Sequence, residues 1–202
     1  MPSHEQLVAK GHEILKQAPQ LYIDLDVEAD GIPDYGSLLS IGAVSPWGET
    51  FYTELKPASE RFIPANRAFC EAHGLERNRL LEEGEDPQIA AQNLTRWTDD
   101  LTELHGKDAA VLSAFNASFD FPWVDLAVKE ADINPNPYGV AGFCLKSLAM
   151  ALPGEYNWRK TSKGRLPAEL VPRGDFTHNA LEDAQYQQQI HFALAGKLAL
   201  PA

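Results

Sequence analysis

Three short segments hold the residue types and spacings of this chain that are suited to chemistry: Asp26-Val27-Glu28, Asn116-Ala117-Ser118-Phe119-Asp120 and His178-Asn179-Ala180-Leu181-Glu182-Asp183. Each acid sits at the edge of an apolar run, where a carboxylate is costly to bury unless its charge is compensated. Four converging acids without basic partners repel one another, and a pair of divalent cations is the natural compensation. Asp26, Glu28, Asp120 and Asp183 are therefore candidate metal ligands, and such a centre suits metal-dependent phosphodiester hydrolysis. Taken singly, each residue has an ordinary use. Asp-x-Glu can be a solvated strand edge, an acid in a first helical turn is favoured by the helix dipole, and a histidine before a helix can be a cap or surface group. The combination is what singles them out.

The elements that must position these groups follow from hydrophobic periodicity. Leu21 to Val27 alternates apolar and acidic residues, as a strand does, so Asp26 and Glu28 leave the same face. Asp24 shares that face. Asp26 and Glu28 are favoured as ligands because they lie nearest the strand's C-terminal end, where α/β sheets open to ligands. Asp24 is expected to be a hydrogen-bonded acid deeper along the strand. Two further strands, Leu38 to Ser45 and Thr50 to Leu55, are separated by short turns and suggest an antiparallel meander. Ala109 to Phe115 reads as a strand, and the helix introduced by Asn116 places Asp120 in its first turn. Asn116 itself is read as an N-cap or turn residue. Phe143-Cys144-Leu145 reads as a short strand feeding a helix through Leu152. A last helix over about Asn179 to Lys197 carries Asp183, with Ala180 and Tyr186 or Gln187 on the same face, while His178 hangs from the preceding loop.

The remaining helices are Ser3 to Gln17, capped by Ser3 with Gln6 three positions on, a segment past Pro64 with Phe69, Ala72 and Leu75 on one face, and one opened by Asp86-Pro87. Pro153 to Phe176 is polar, basic and Gly/Pro-bearing, and reads as an active-site loop or short helical excursion. Three strands followed by alternating helices and strands give an α/β domain, a mixed central sheet with helices packed on it. The 202 residues are read as one domain, with 1–19 a helical extension and the core at about 20–197.

The composition is 44% apolar and 23% charged, with a formal charge of −12. That balance argues against a protein gripping long nucleic acid through its phosphates, which takes many Lys and Arg; short substrates or chain ends held locally fit better. No run reaches the roughly 18 apolar residues of a membrane span, and no secretory signal is visible. The two cysteines, Cys70 and Cys144, are not in zinc-ligand spacing, and a reduced cytoplasmic setting is the default.

The three segments, in this order, resemble the DEDDh 3′→5′ exonucleases of the ribonuclease H-like superfamily. The resemblance rests on Asp-Val-Glu-Ala-Asp-Gly on the first strand, Asn-x-x-x-Asp-Phe at the second position and His-x-x-x-x-Asp near the end, and spans roughly Leu21 to Phe192. Asn179 stands where a tyrosine-type relative carries Tyr, so His178 selects the histidine branch. The resemblance implies the ribonuclease H-like fold, with Asp26, Glu28, Asp120 and Asp183 holding two Mg²⁺ or Mn²⁺ ions and His178 as general base. The implied reaction releases nucleoside 5′-monophosphates from 3′ ends of single-stranded RNA or DNA or from short oligonucleotides.

His73-Gly74-Leu75 resembles a His-Gly-hydrophobic element of these enzymes. Leu38 and Leu39 are candidate contacts to the terminal base, as is His73; Phe69 and Trp123 could also stack there, but core packing is expected for both. Arg159, Lys160, Lys163 and Arg165 are candidate phosphate guides in so acidic a chain. The compact size, similar to that of dimeric members, is compatible with a homodimer. Two other readings compete: a catalytically silent nucleic-acid-binding module of the same fold, and a phosphodiesterase acting on a nucleotide-like small molecule.

Overall fold

The computed structural model of the chain describes residues 2–152, 157–174 and 176–200. In chain order the elements are α1 (His4–Gln17), β1 (Leu21–Ala29), β2 (Leu38–Val44), β3 (Thr50–Glu54), α2 (Pro64–Ala72), α3 (Arg77–Glu83), α4 (Pro87–Leu104), β4 (Ala110–Ala114), α5 (Ala117–Glu130), β5 (Phe143–Cys144), α6 (Leu145–Ala151) and α7 (Ala180–Leu198). Most expected elements are present within a residue or two, and the expected capping box of Ser3 and Gln6 opens α1. Helix α3 was not anticipated. Of the loop expected over Pro153 to Phe176, residues 153–156 and 175 lie outside the described residues. The rest makes three single 3₁₀ turns, Trp158–Lys160, Lys163–Arg165 and Ala168–Leu170.

The sheet order is β3-β2-β1-β4-β5. The first three strands form the expected antiparallel meander, and β4 and β5 add parallel to β1. This is the mixed sheet of a ribonuclease H-like fold. Alternation along β1 separates two chemistries. Leu21, Ile23, Leu25 and Val27 are buried in one core with Leu94 and Leu101 of α4 and Val124 and Val128 of α5. The intervening Tyr22 and Asp24 meet His191 of α7 on the opposite face. A second core joins Leu7 of α1, Leu145 of α6 and Ile190 and Leu194 of α7.

Two features of this frame create the crevice. First, β4 pairs with β1 only from Leu21 to Asp24, so Asp26 and Glu28 run on past the end of their neighbour. Second, α7 begins in direct contact with the sheet. Gly42 of β2 is the cross-strand partner of Asp26, and a Cβ at Gly42 would lie 2.2 Å from both the Ala180 carbonyl carbon and the Leu181 nitrogen. Only a residue without a side chain admits this approach, and it brings the first turn of α7, with Asp183, beside Asp26. Gly42→Ala is therefore expected to push α7 off the sheet and to destabilise the protein by about 1–3 kcal/mol, the usual range for overpacking. Urea unfolding monitored by circular dichroism measures this, and an unchanged midpoint would refute the close packing.

Candidate active site

The acids arrive at the crevice from β1, α5 and α7, each through a different local device. Asp26 and Glu28 are delivered by the pleat of β1. Asp120 is carried by the first turn of α5, and its Oδ1 accepts a 3.2 Å hydrogen bond from the Val27 N–H. That donor points to the side on which β4 has ended, so the carboxylate satisfies a backbone group the sheet leaves open. Asn116 occupies the N-cap position of α5 with a left-handed backbone (φ 86°) and makes no capping bond; its Oδ1 instead accepts from the Ser118 hydroxyl at 3.1 Å. Asp183 is set by the cap of α7, where the Asn179 side chain accepts from the Leu181 and Glu182 N–H groups. Its own Oδ1 accepts from the Thr177 N–H at 3.1 Å.

These four carboxylates, together with His178, line one open cleft of about 380 Å³. Ligand atoms of Glu28, His178 and Asp183 lie within 4.8 Å of one another. His178 has a left-handed backbone, φ 58°, a conformation that costs a non-glycine residue energy and is concentrated at functional sites. Its ring is packed edge-on against Phe69 at 4.5 Å and His73 at 4.6 Å. The His73 Nδ1–H donates to the Phe69 carbonyl at 2.8 Å, which leaves Nε2 of that ring as the acceptor.

The charge in the cleft is poorly balanced. Burial, chiefly, with Lys163 opposing and the Asp183 charge adding, raises the Asp26 pKa to about 6. Burial, reinforced by the Asp26 and Asp183 charges, lifts Glu28 to about 8. Asp120 is pushed well up by burial and by Asp26. Among the described residues the cation that answers them is Lys163, whose Nζ is 3.3 Å from Asp26 Oδ1 and 4.3 Å from the Phe176 ring centre.

The other expected contacts scatter. Arg159 and Arg165 are exposed on the same loop, with Arg165 Nη1 donating to the Arg159 carbonyl at 3.0 Å, and Lys160 ends the first 3₁₀ turn. Leu38 is buried in the main core and Leu39 in a small cluster with Cys70, Leu75 and Leu80. Trp123 is buried as expected, but Phe69 is not: it is 42% exposed beside His178. Of the α2 residues only Cys70 is fully buried, so the apolar face expected from Phe69 turns away from the core. Asp24 is fully buried and bonded, as its depth in the strand implied, with its Oδ1 3.0 Å from both His191 Nδ1 and Ser113 Oγ.

No protein-family model matches the chain. It is 32% identical over 183 residues to the 3′–5′ DNA exonuclease Cap18 of Escherichia coli, an alignment covering 89% of this chain and 94% of the relative. The chain belongs to the family of this 3′–5′ exonuclease. Solved structures agree on the fold. The nuclease domain of 3′hExo, a DEDDh family member bound to rAMP, superposes with a TM-score of 0.64 at 12% identity, covering 86% of this chain and 90% of that one. Pop2p of S. pombe in its Mg²⁺- and Mn²⁺-bound form gives 0.62 at 14% identity, covering 94% and 87%. This exonuclease is therefore an enzyme, and the cleft is its candidate active site.

The raised carboxylates make the metal-free protein sensitive to pH. A folded pKa of about 8 for Glu28 lies above the unfolded value of roughly 4.3. Its stabilising contribution is thus complete below the unfolded value and is lost as pH rises through the folded one. In chelator, the wild-type melting temperature should fall between about pH 4 and pH 8 relative to Glu28→Gln, as read by differential scanning calorimetry. Parallel profiles for the two proteins would show that Glu28 is not under this strain.

Proposed function

We propose that this exonuclease is divalent-metal-dependent and removes nucleoside 5′-monophosphates from the 3′ ends of single-stranded DNA or short oligonucleotides. In this reading Asp26, Glu28, Asp120 and Asp183 hold two Mg²⁺ or Mn²⁺ ions. The observation that carries it is the gathering of four carboxylates in one cleft beside Lys163. The residues suit the ions: the donors are hard carboxylate oxygens, and their mutual repulsion is what a doubly charged cation relieves. When bound, the ions polarise the scissile phosphate and stabilise the leaving 3′-oxygen.

The chain's own groups supply the rest. His178, placed beside Glu28 and Asp183 by its strained backbone, takes the proton of the attacking water. An imidazole exchanges a proton readily near neutrality, and a hard cation prefers the neighbouring carboxylates as ligands, which leaves the ring free for that task. Lys163, steadied against Phe176, is near enough to Asp26 to meet a phosphate bound there. Phe69 and His73 offer exposed rings next to His178 on which a terminal base can stack. Leu38 and Leu39 are buried and do not line the cleft, so they are not assigned to the terminal base. The similarity to a DNA exonuclease over nearly the whole chain supports DNA as the substrate.

Purified protein with a uniformly labelled single-stranded oligonucleotide and Mn²⁺ tests this. Mononucleotide release should disappear in excess chelator and in Asp26→Asn or Asp183→Asn. His178→Ala should slow turnover about 10²- to 10⁴-fold, the usual loss when a general base is removed. Lys163→Met should raise KM more than it lowers kcat. Full release by Asp183→Asn would reject the metal assignment, and equal rates on RNA and DNA 3′ ends would reject the substrate preference.

A further inference from the structure

The two central parallel strands part company at one rung, and a side chain fills the gap. Pairing of β1 with β4 stops at Asp24 and Ser113. Leu21 N–H donates to the Ala109 carbonyl, and the same register continued along the strands would set the Leu25 carbonyl against the Phe115 N–H. Those two groups do not pair with each other. The Gln187 carboxamide of α7 stands between them: its Nε2 donates to the Leu25 carbonyl at 2.5 Å, and its Oε1 accepts from the Phe115 N–H at 3.0 Å. Gln187 is fully buried.

A primary amide donates and accepts from one planar group, as a peptide group does. Inserted here, it replaces a strand-to-strand rung by two bonds and so holds β1 and β4 apart where the cleft opens. The two groups it ties together, and Gln187 itself, each neighbour a proposed ligand. Leu25 precedes Asp26, Phe115 begins the turn leading to Asp120, and Gln187 lies one helical turn beyond Asp183.

We propose that Gln187 is a positioning residue for the metal centre, a side-chain rung that fixes the spacing of Asp26, Asp120 and Asp183. This rests on the reading of those acids as the metal ligands. Gln187 touches neither substrate nor metal; it acts through the strand end, the helix start and the helix face that present the carboxylates. Partners behind the ligands of a metal site typically control affinity or activity by about 10- to 100-fold, and Gln187 is expected to fall in that range.

Gln188 provides the control. It sits one residue on, also buried, and donates to the carbonyls of Val44, the last residue of β2, and Ser45 just beyond it, at 3.5 and 2.8 Å, away from the proposed ligands. Gln187→Met and Gln188→Met keep the volume and remove the hydrogen bonds, so both should lower thermal stability. Only Gln187→Met should also weaken Mn²⁺ binding, measured by titration calorimetry on protein verified as folded, and lower kcat by about 10-fold or more with KM changed little. If Gln187→Met does not fold at the assay temperature, Gln187→Asn is measured instead. It keeps the amide but, one methylene short, can hold one strand and not both, and the same weakening is expected.

Wild-type Mn²⁺ affinity and kcat in the folded Gln187 variant would overturn the proposal, as would equal losses in Gln187→Met and Gln188→Met. Asp183→Asn separates this from failure of the underlying reading. If Asp183→Asn binds Mn²⁺ as wild type does, the ligand assignment is wrong. If it loses binding while Gln187→Met keeps it, only the role of Gln187 is wrong.

Discussion

Mutual repulsion among buried and partly buried carboxylates is the constraint around which this molecule is arranged. Asp26, Glu28, Asp120 and Asp183 share a cleft in which water is partly excluded, and burial first, with the neighbouring carboxylates adding to it, presses the first three pKa values upward. Left to flexible loops, four such groups would relax away from one another. Here two are fixed by the pleat of a central strand, one by the first turn of α5 and one by the first turn of α7. The repulsion is therefore held in the scaffold, and in the proposed reading a bound cation would relieve it.

The scaffold achieves this by breaking regularity at chosen places. The sheet ends early on one side of β1, and the backbone groups thereby exposed are taken up by side chains: Asp120 on the Val27 N–H, Gln187 on the Leu25 carbonyl and Phe115 N–H. One of those side chains is itself a proposed ligand, so satisfying the strand and presenting the charge are the same act. The buried Asp24 follows a related logic one step deeper. It lies on the acid face of β1 but meets His191 and Ser113, which consume its hydrogen-bonding capacity and keep it out of the cleft. Residues 183, 187 and 191 of α7 thus form one polar seam, from the open cleft to the closed interior, against the polar face of β1.

Strong local patterns made much of this legible in the sequence. The alternation in Leu21 to Val27 carried both the strand and the common face of Asp26 and Glu28, and Asn116 and Asn179 marked the starts of the two helices that bear the other acids. The features that escaped are those decided by partners distant in sequence. Phe69 has the spacing of a core residue on its helix, yet it faces out because His178, more than a hundred positions later, comes to rest against it. Gln187 was visible as a residue on the Asp183 face. Nothing local distinguishes a buried glutamine bridging two strands from a solvated one, because its partners are backbone groups without a side-chain signature. Lys163 could be placed in a basic loop, but its insertion among the acids depends on the fold of that loop.

The position of Lys163 bears on how so acidic a protein accommodates a polyanion. A net charge of −12 repels nucleic acid at long range only weakly at physiological salt, where screening acts over roughly 8 Å. Within that distance the local arrangement decides. Lys163 lies inside the cleft, and Arg159 and Arg165 are exposed on the same loop, so the approach to the acids is less negative than the surface as a whole. In the proposed reading, bound cations would reverse the sign of the cleft itself, confining attraction to the few ångströms around the reacting phosphate. A protein built this way holds a chain end and little beyond it, which is the grip an exonuclease acting on short or single-stranded termini needs, and which a broad basic face would defeat by retaining the product strand.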